Sequence, residues 1–199
     1  YMGKSVDVDA QRTVIGAPGS TEENKPPVLG AAFVFRWENG GWIEEALLRG
    51  DDTRYDDAFG ASVSIEGDLI AVGAPGHGAA NDAQNRTGAA YAFRLIDGEW
   101  KQIAKLVPPE FSVYARSLGS SVALNNGSVL VGRKSYTLGH AGAYLFGQQD
   151  GQWRQSATFL PTSDELENFG SRIGISGSLA VVGNEKQEVA FSLFRKRDH

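Results

Sequence analysis

The sequence predicts an all-β fold of repeated four-stranded antiparallel blades, a β-propeller, and three observations point to it. One sentence of residues is written four times along the chain, at Met2-Gly3, Phe59-Gly60, Leu118-Gly119 and Phe169-Gly170, spaced by 57, 59 and 51 residues. Its runs are four to nine residues long, rich in Val, Ile, Phe, Tyr and Trp, and bounded by turn chemistry. Glycines and Asx-Gly dipeptides fall at the same place in each copy.

Each element follows from that frame. After the aromatic or apolar residue and its glycine comes a short alternating run, SVDV, SVSI, SVALN and SRIGI. A tight turn, as in Glu66-Gly67-Asp68, leads to a second run ending in glycine, TVIGAP, LIAVGAP, VLVGR and LAVVGN. Gly16, Gly73, Gly132 and Gly183 in this run suit strands crowded near an axis, and Pro18 and Pro75 suit strand ends. The third run, GAAFVFRW, GAAYAFRL, GAYLFG and VAFSLFR, joins the fourth through Asn39-Gly40, Asp97-Gly98 and Asp150-Gly151, the dipeptides of a type I′ hairpin. The fourth run opens on Trp42, Trp100 or Trp153, placed to fill the wide outer part of a wedge, and only three copies have it.

A meander cannot bury both faces alone, and stacking tandem units around an axis solves this. The expected organisation is a single domain over residues 1–199, with blades at about 2–58, 59–117, 118–168 and 169–199. Fifteen strands leave the last blade one short, so either that blade stays three-stranded or the chain continues. An arc of a larger ring, completed by more chain or by another copy, is the preferred expectation.

The string FGASV…GDLIAVGAP…TGAAYAF…GEWKQIAKL resembles the FG-GAP repeat, the unit of integrin α-subunit propellers and of many surface proteins. The likeness covers essentially the whole chain and fades in the last two copies, where GAP becomes GRK and GNE. It implies an extracellular interaction or adhesion module. Calcium often sits between the first two strands of integrin-type repeats, but Glu66-Gly67-Asp68 is too short to wrap an ion. Asp7-Val8-Asp9 alternates oxygens without the tightening glycine and reads as an exposed strand end. No metal site and no cofactor are expected.

Composition narrows the classes further. The chain of 199 residues is 41% hydrophobic with a net charge of −5, and the acidic excess falls within the first 60 residues. No broad basic field exists for a nucleic acid. Without cysteine there is neither disulfide nor thiolate site. No apolar run reaches the roughly 18 residues of a membrane helix. The opening Tyr1-Met2-Gly3-Lys4 lacks the apolar stretch of a signal peptide, so for a secreted or cell-surface protein the targeting segment is expected outside this stretch.

Residues that recur in every blade read as structural, which removes Ser5, Ser62, Ser121 and Ser171 from the nucleophiles. No catalytic constellation is expected, and His77, His140 and His199 read as loop residues. The acidic stretch 51–57 reads as a solvated linker between blades. The sequons at Asn85 and Asn126 permit glycosylation. What varies is the loops between second and third strands and between blades, which an up-and-down meander delivers to one face. They hold Tyr114, Arg116, Arg133, Lys134, Tyr136 and His140, a hot-spot composition suited to a protein or glycan partner. The alternatives are a structural subunit of a larger assembly, or a polysaccharide-active propeller, for which Asp7 and Asp9 are the chief inner carboxylates.

Overall fold

The computed structural model describes residues 2–19, 29–78, 87–109, 117–134, 141–161, 168–184 and 191–195. Within them lie fifteen strands and no helix, arranged as four antiparallel meanders. The first sheet is β1 (Ser5–Asp9), β2 (Arg12–Ala17), β3 (Ala31–Glu38) and β4 (Gly41–Leu48). The second is β5 (Ser62–Glu66), β6 (Leu69–Ala74), β7 (Ala89–Ile96) and β8 (Glu99–Leu106). The third is β9 (Leu118–Asn125), β10 (Ser128–Arg133), β11 (Gly142–Gln149) and β12 (Gln152–Phe159). The last has three strands, β13 (Arg172–Ser176), β14 (Leu179–Gly183) and β15 (Phe191–Arg195).

The outer hairpins close as their turn residues require. Asn39-Gly40, Asp97-Gly98 and Asp150-Gly151 all carry positive φ at both positions. Each of these hairpins also bears a bulge at the same depth, at Val34/Phe35, Ala92/Phe93 and Leu145/Phe146. A bulge bends the strand and sharpens its twist. Nothing in the sequence marks it.

Three apolar layers hold the four sheets together. The first joins Val14, Ala32 and Val34 to Phe59, Val63, Ile65, Ile70, Val72 and Tyr91. The second joins Leu69, Ala71 and Ala92 to Leu118, Val129, Val131 and Phe146. The third joins Leu130 and Leu145 to Phe169, Ala180 and Val182. Even and odd residues of each inner strand therefore face opposite neighbours. Phe59, Leu118 and Phe169 are buried in equivalent places, and Met2 holds the same place at 54% exposure, on the open side of the first sheet. Val6 and Val8 on that side, and Leu179, Val181 and Leu193 on the far side of the last sheet, are exposed as well. The blades form an open arc.

The hub is made of glycines. A side chain on Gly16, Gly73 or Gly132 would collide with the carbonyl of Gly60, Gly119 or Gly170 in the next blade. Those three partners have φ of 92°, 84° and 87°, the left-handed region in which a β-carbon is strained. The repeated serine donates across the same gap: Ser5 Oγ to Gly60 O (3.0 Å), Ser62 Oγ to Gly119 O (2.8 Å) and Ser121 Oγ to Gly170 O (2.7 Å).

In the last blade the expected serine is displaced by one residue. Arg172, not Ser171, stands opposite Gly183 as Ser5 stands opposite Gly16. Ser171 occupies the place of Ser120, and its buried hydroxyl has no hydrogen-bond partner among the described residues. Trp100 and Trp153 pack against the first and second layers, as an outer filler should. Trp42 is exposed and stacks edge-on against Trp37 at 5.3 Å.

Candidate functional site

Alternation of strand direction sends the linkers between blades and the β2–β3 type loops to one end of the stack. Two contacts tie them together there: Gly76 N donates to Asp57 O (2.9 Å), and Leu118 N donates to Thr87 O (3.1 Å). The hairpin turns gather at the other end. The two ends do different work.

At the loop end, between the first and second blades, five polar side chains meet. Tyr91 lies on β7 with its ring 5.5 Å from Phe59, and its hydroxyl donates to Asp52 Oδ1 (2.7 Å). Lys105, opposite Tyr91 on β8, donates to Asp52 Oδ2 (2.6 Å) and to His77 Nε2 (2.7 Å). An ammonium only donates, so Nε2 accepts and the ring proton sits on Nδ1, directed at Asp57 Oδ2 (2.8 Å). Asp57, buried, also accepts from Arg54 N (2.8 Å).

Burial, reinforced by the bond to Asp52, pushes the Tyr91 phenol above its ordinary value, so it remains a donor. Burial of Asp52 opposes ionisation, but the bonds from Lys105 and Tyr91 outweigh it and hold its carboxyl below the usual range. The cluster locks the linker onto the second blade. It corrects two readings: His77 is no idle loop residue, and Asp52 and Asp57 are not simply solvated. Their spacing in sequence, 20 residues from Asp57 to His77 and 14 more to Tyr91, concealed the grouping. Beside them Tyr55 stands 56% exposed on the same linker, an aromatic that sequence reading passed over.

At the turn end, the last residue of each inner strand caps the next blade. Asp9 Oδ2 accepts from Gly67 N, Glu66 Oε1 and Oε2 accept from Asn126 N (2.8 Å) and Gly127 N (2.9 Å), and Asn125 Oδ1 accepts from Gly177 N (2.7 Å). One rung inward, Asp7 Oδ2 accepts from Ser64 Oγ and Ile65 N, both at 2.9 Å. Asp7 and Asp9 are therefore cross-blade caps rather than a free strand end. Asn126 is exposed in its turn at φ 49°, while Asn85 lies outside the described residues.

Of the six predicted binding residues, Arg133 and Lys134 are described, and Tyr114, Arg116, Tyr136 and His140 lie outside the described residues. Arg133 ends β10 at the loop end, buried, with its guanidinium 5.2 Å from the centre of the Tyr144 ring. Lys134 follows it, its backbone N–H donating to Ser120 Oγ (3.1 Å). Among the described residues no cluster of His, Asp and Glu has the arrangement of a metal site. No helix among them is long and apolar enough to cross a membrane.

No curated protein matches the chain. Residues 42–93, from β4 through most of β7, match a family model described as FG-GAP repeat. That stretch contains Phe59-Gly60, the serine rung at Ser62 and the Gly73-Ala74-Pro75 corner, the features on which the stack depends. With its all-β blades and this match, the chain is an FG-GAP repeat protein of the β-propeller kind.

Proposed function

We propose that this is a non-catalytic interaction or adhesion module of a secreted or cell-surface protein, which takes a protein or glycan partner on the loop end of its blades. FG-GAP repeats generally build propeller-type binding modules, and the match at residues 42–93 is the observation that carries the reading. The division of labour between the two ends supports it. At the turn end the carboxylates are committed to backbone N–H groups of the next blade. At the loop end Tyr55 is presented to solvent on a linker that the Asp57–His77 contact holds in place. A rigidly mounted exposed tyrosine is the kind of group that anchors interfaces.

The test is a screen of the intact chain against a glycan array and a panel of extracellular proteins, repeated with one variant at each end. Tyr55→Ser at the loop end is expected to weaken capture at least fivefold, with Glu99→Ser at the turn end leaving it unchanged. The reverse order of effects would place the partner on the wrong face and defeat the proposal.

A further inference from the structure

The first two blade junctions are built on the same plan at the loop end, and their difference identifies a ligand. Tyr144 stands opposite Val131 on β10 as Tyr91 stands opposite Val72 on β6. At the first junction the cations beside the tyrosine are matched by carboxylates: Lys105 by Asp52, and His77 by Asp57. At the second the cation is Arg133, and the described residues supply no carboxylate to it. Arg133 is 5% exposed, and its Nε has no hydrogen-bond partner among them.

Such a group is costly as it stands. Arginine keeps its charge in proteins, and a buried charge without a partner destabilises the fold by several kcal/mol, on the order of 3–5. Burial pushes the guanidinium below its ordinary value, with Tyr144 offsetting only part of that. The π-face of Tyr144 covers one side of the cation and leaves the planar N–H fork to be answered in its own plane. A carboxylate is the partner whose geometry fits that fork.

We propose that Arg133 is the receptor for a carboxylate brought by an acidic peptide segment of a partner, which takes the place at the second junction that Asp52 fills at the first. An aspartate on a peptide loop is the precedent inside the molecule, where Asp52 reaches both the tyrosine hydroxyl and the neighbouring cation. This rests on the loop end being the partner-facing end, and it specifies the chemistry recognised there.

The experiment follows the Nε–H resonance of Arg133 in the intact isotopically labelled chain, assigned by its loss in Arg133→Gln. The probes are blocked peptides with a central aspartate or asparagine, and methyl glucuronide. The aspartate peptide is expected to shift the resonance saturably, with the asparagine peptide at least tenfold weaker. Arg133→Lys should weaken the aspartate peptide and Arg133→Gln abolish its binding, while the Gln variant melts no lower than the parent. Equal binding of the two peptides, or an undisturbed resonance, overturns the proposal. A lower melting point for Arg133→Gln reveals an internal counter-charge and overturns it too. Tighter binding of the glucuronide overturns the peptide assignment. A partner captured through Tyr55 with no loss in Arg133→Gln leaves the loop-end function standing while removing this site.

Discussion

The junction between the first and second blades and that between the third and fourth share a backbone but not a set of side chains. Both bury an aromatic, Phe59 or Phe169, under a left-handed glycine, and both carry a serine rung, from Ser5 or Ser121. The first adds Asp7 and Asp9 as caps, Glu45 accepting from Trp100 Nε1 (3.0 Å), and Gln102 accepting from Asp51 N (3.0 Å). At the third, the place of Asp7 is taken by Ala123, and among the described residues Asn125 alone reaches across at the turn end. Close backbone approach and apolar burial thus suffice to stack the blades. The polar bonds strengthen a contact that already exists.

The largest effect should therefore come from the shared part. Gly60→Val and Gly170→Val each place a branched side chain at positive φ against a neighbouring carbonyl. Strain and collision together should cost more than about 3 kcal/mol at either junction. Denaturant unfolding checks this, and a tolerated variant at one junction would break the claim that they share a mechanism.

A smaller effect separates them. Asp7→Ala removes the acceptor of Ser64 Oγ and Ile65 N and should destabilise by about 1–3 kcal/mol. Ala123→Asp offers the corresponding acceptor at the third junction, where a gain of up to about 1 kcal/mol is expected by the same measurement. No change in either variant would show the caps to be ornamental.

The smallest effect lies in acid. The bond from Arg12 (2.8 Å) holds the Glu45 carboxyl below its ordinary range against the cost of burial, with Trp100 helping. A depressed folded-state value means stability that is present above the unfolded carboxylate pKa and lost as pH falls through the folded one. Glu45→Gln should flatten the acid limb of a melting-point profile below about pH 4.3 and leave it parallel to the parent near neutrality.

How much of this the residues disclosed depended on locality. Asn39-Gly40 and its counterparts specify their own φ angles, so the outer hairpins could be read directly. The crowding at Gly16, Gly73 and Gly132 was legible because glycine recurs where backbones must meet. The Ser171 and Arg172 exchange was not, since Ser120-Ser121 offers two serines and only the pairing with Gly183 decides which position is equivalent. The Tyr91, His77 and Asp52 cluster escaped for a related reason. Its members come from three separate segments that meet only when the linker folds back on the second blade.

The caps at the turn end all point the same way along the chain: Asp9 serves the turn at Gly67, Glu66 that at Asn126, and Asn125 that at Gly177. During synthesis on the ribosome each acceptor has thus emerged before the amides it will hold. A finished blade becomes a template awaiting the next, and the order of translation is also the order in which the arc can be laid down.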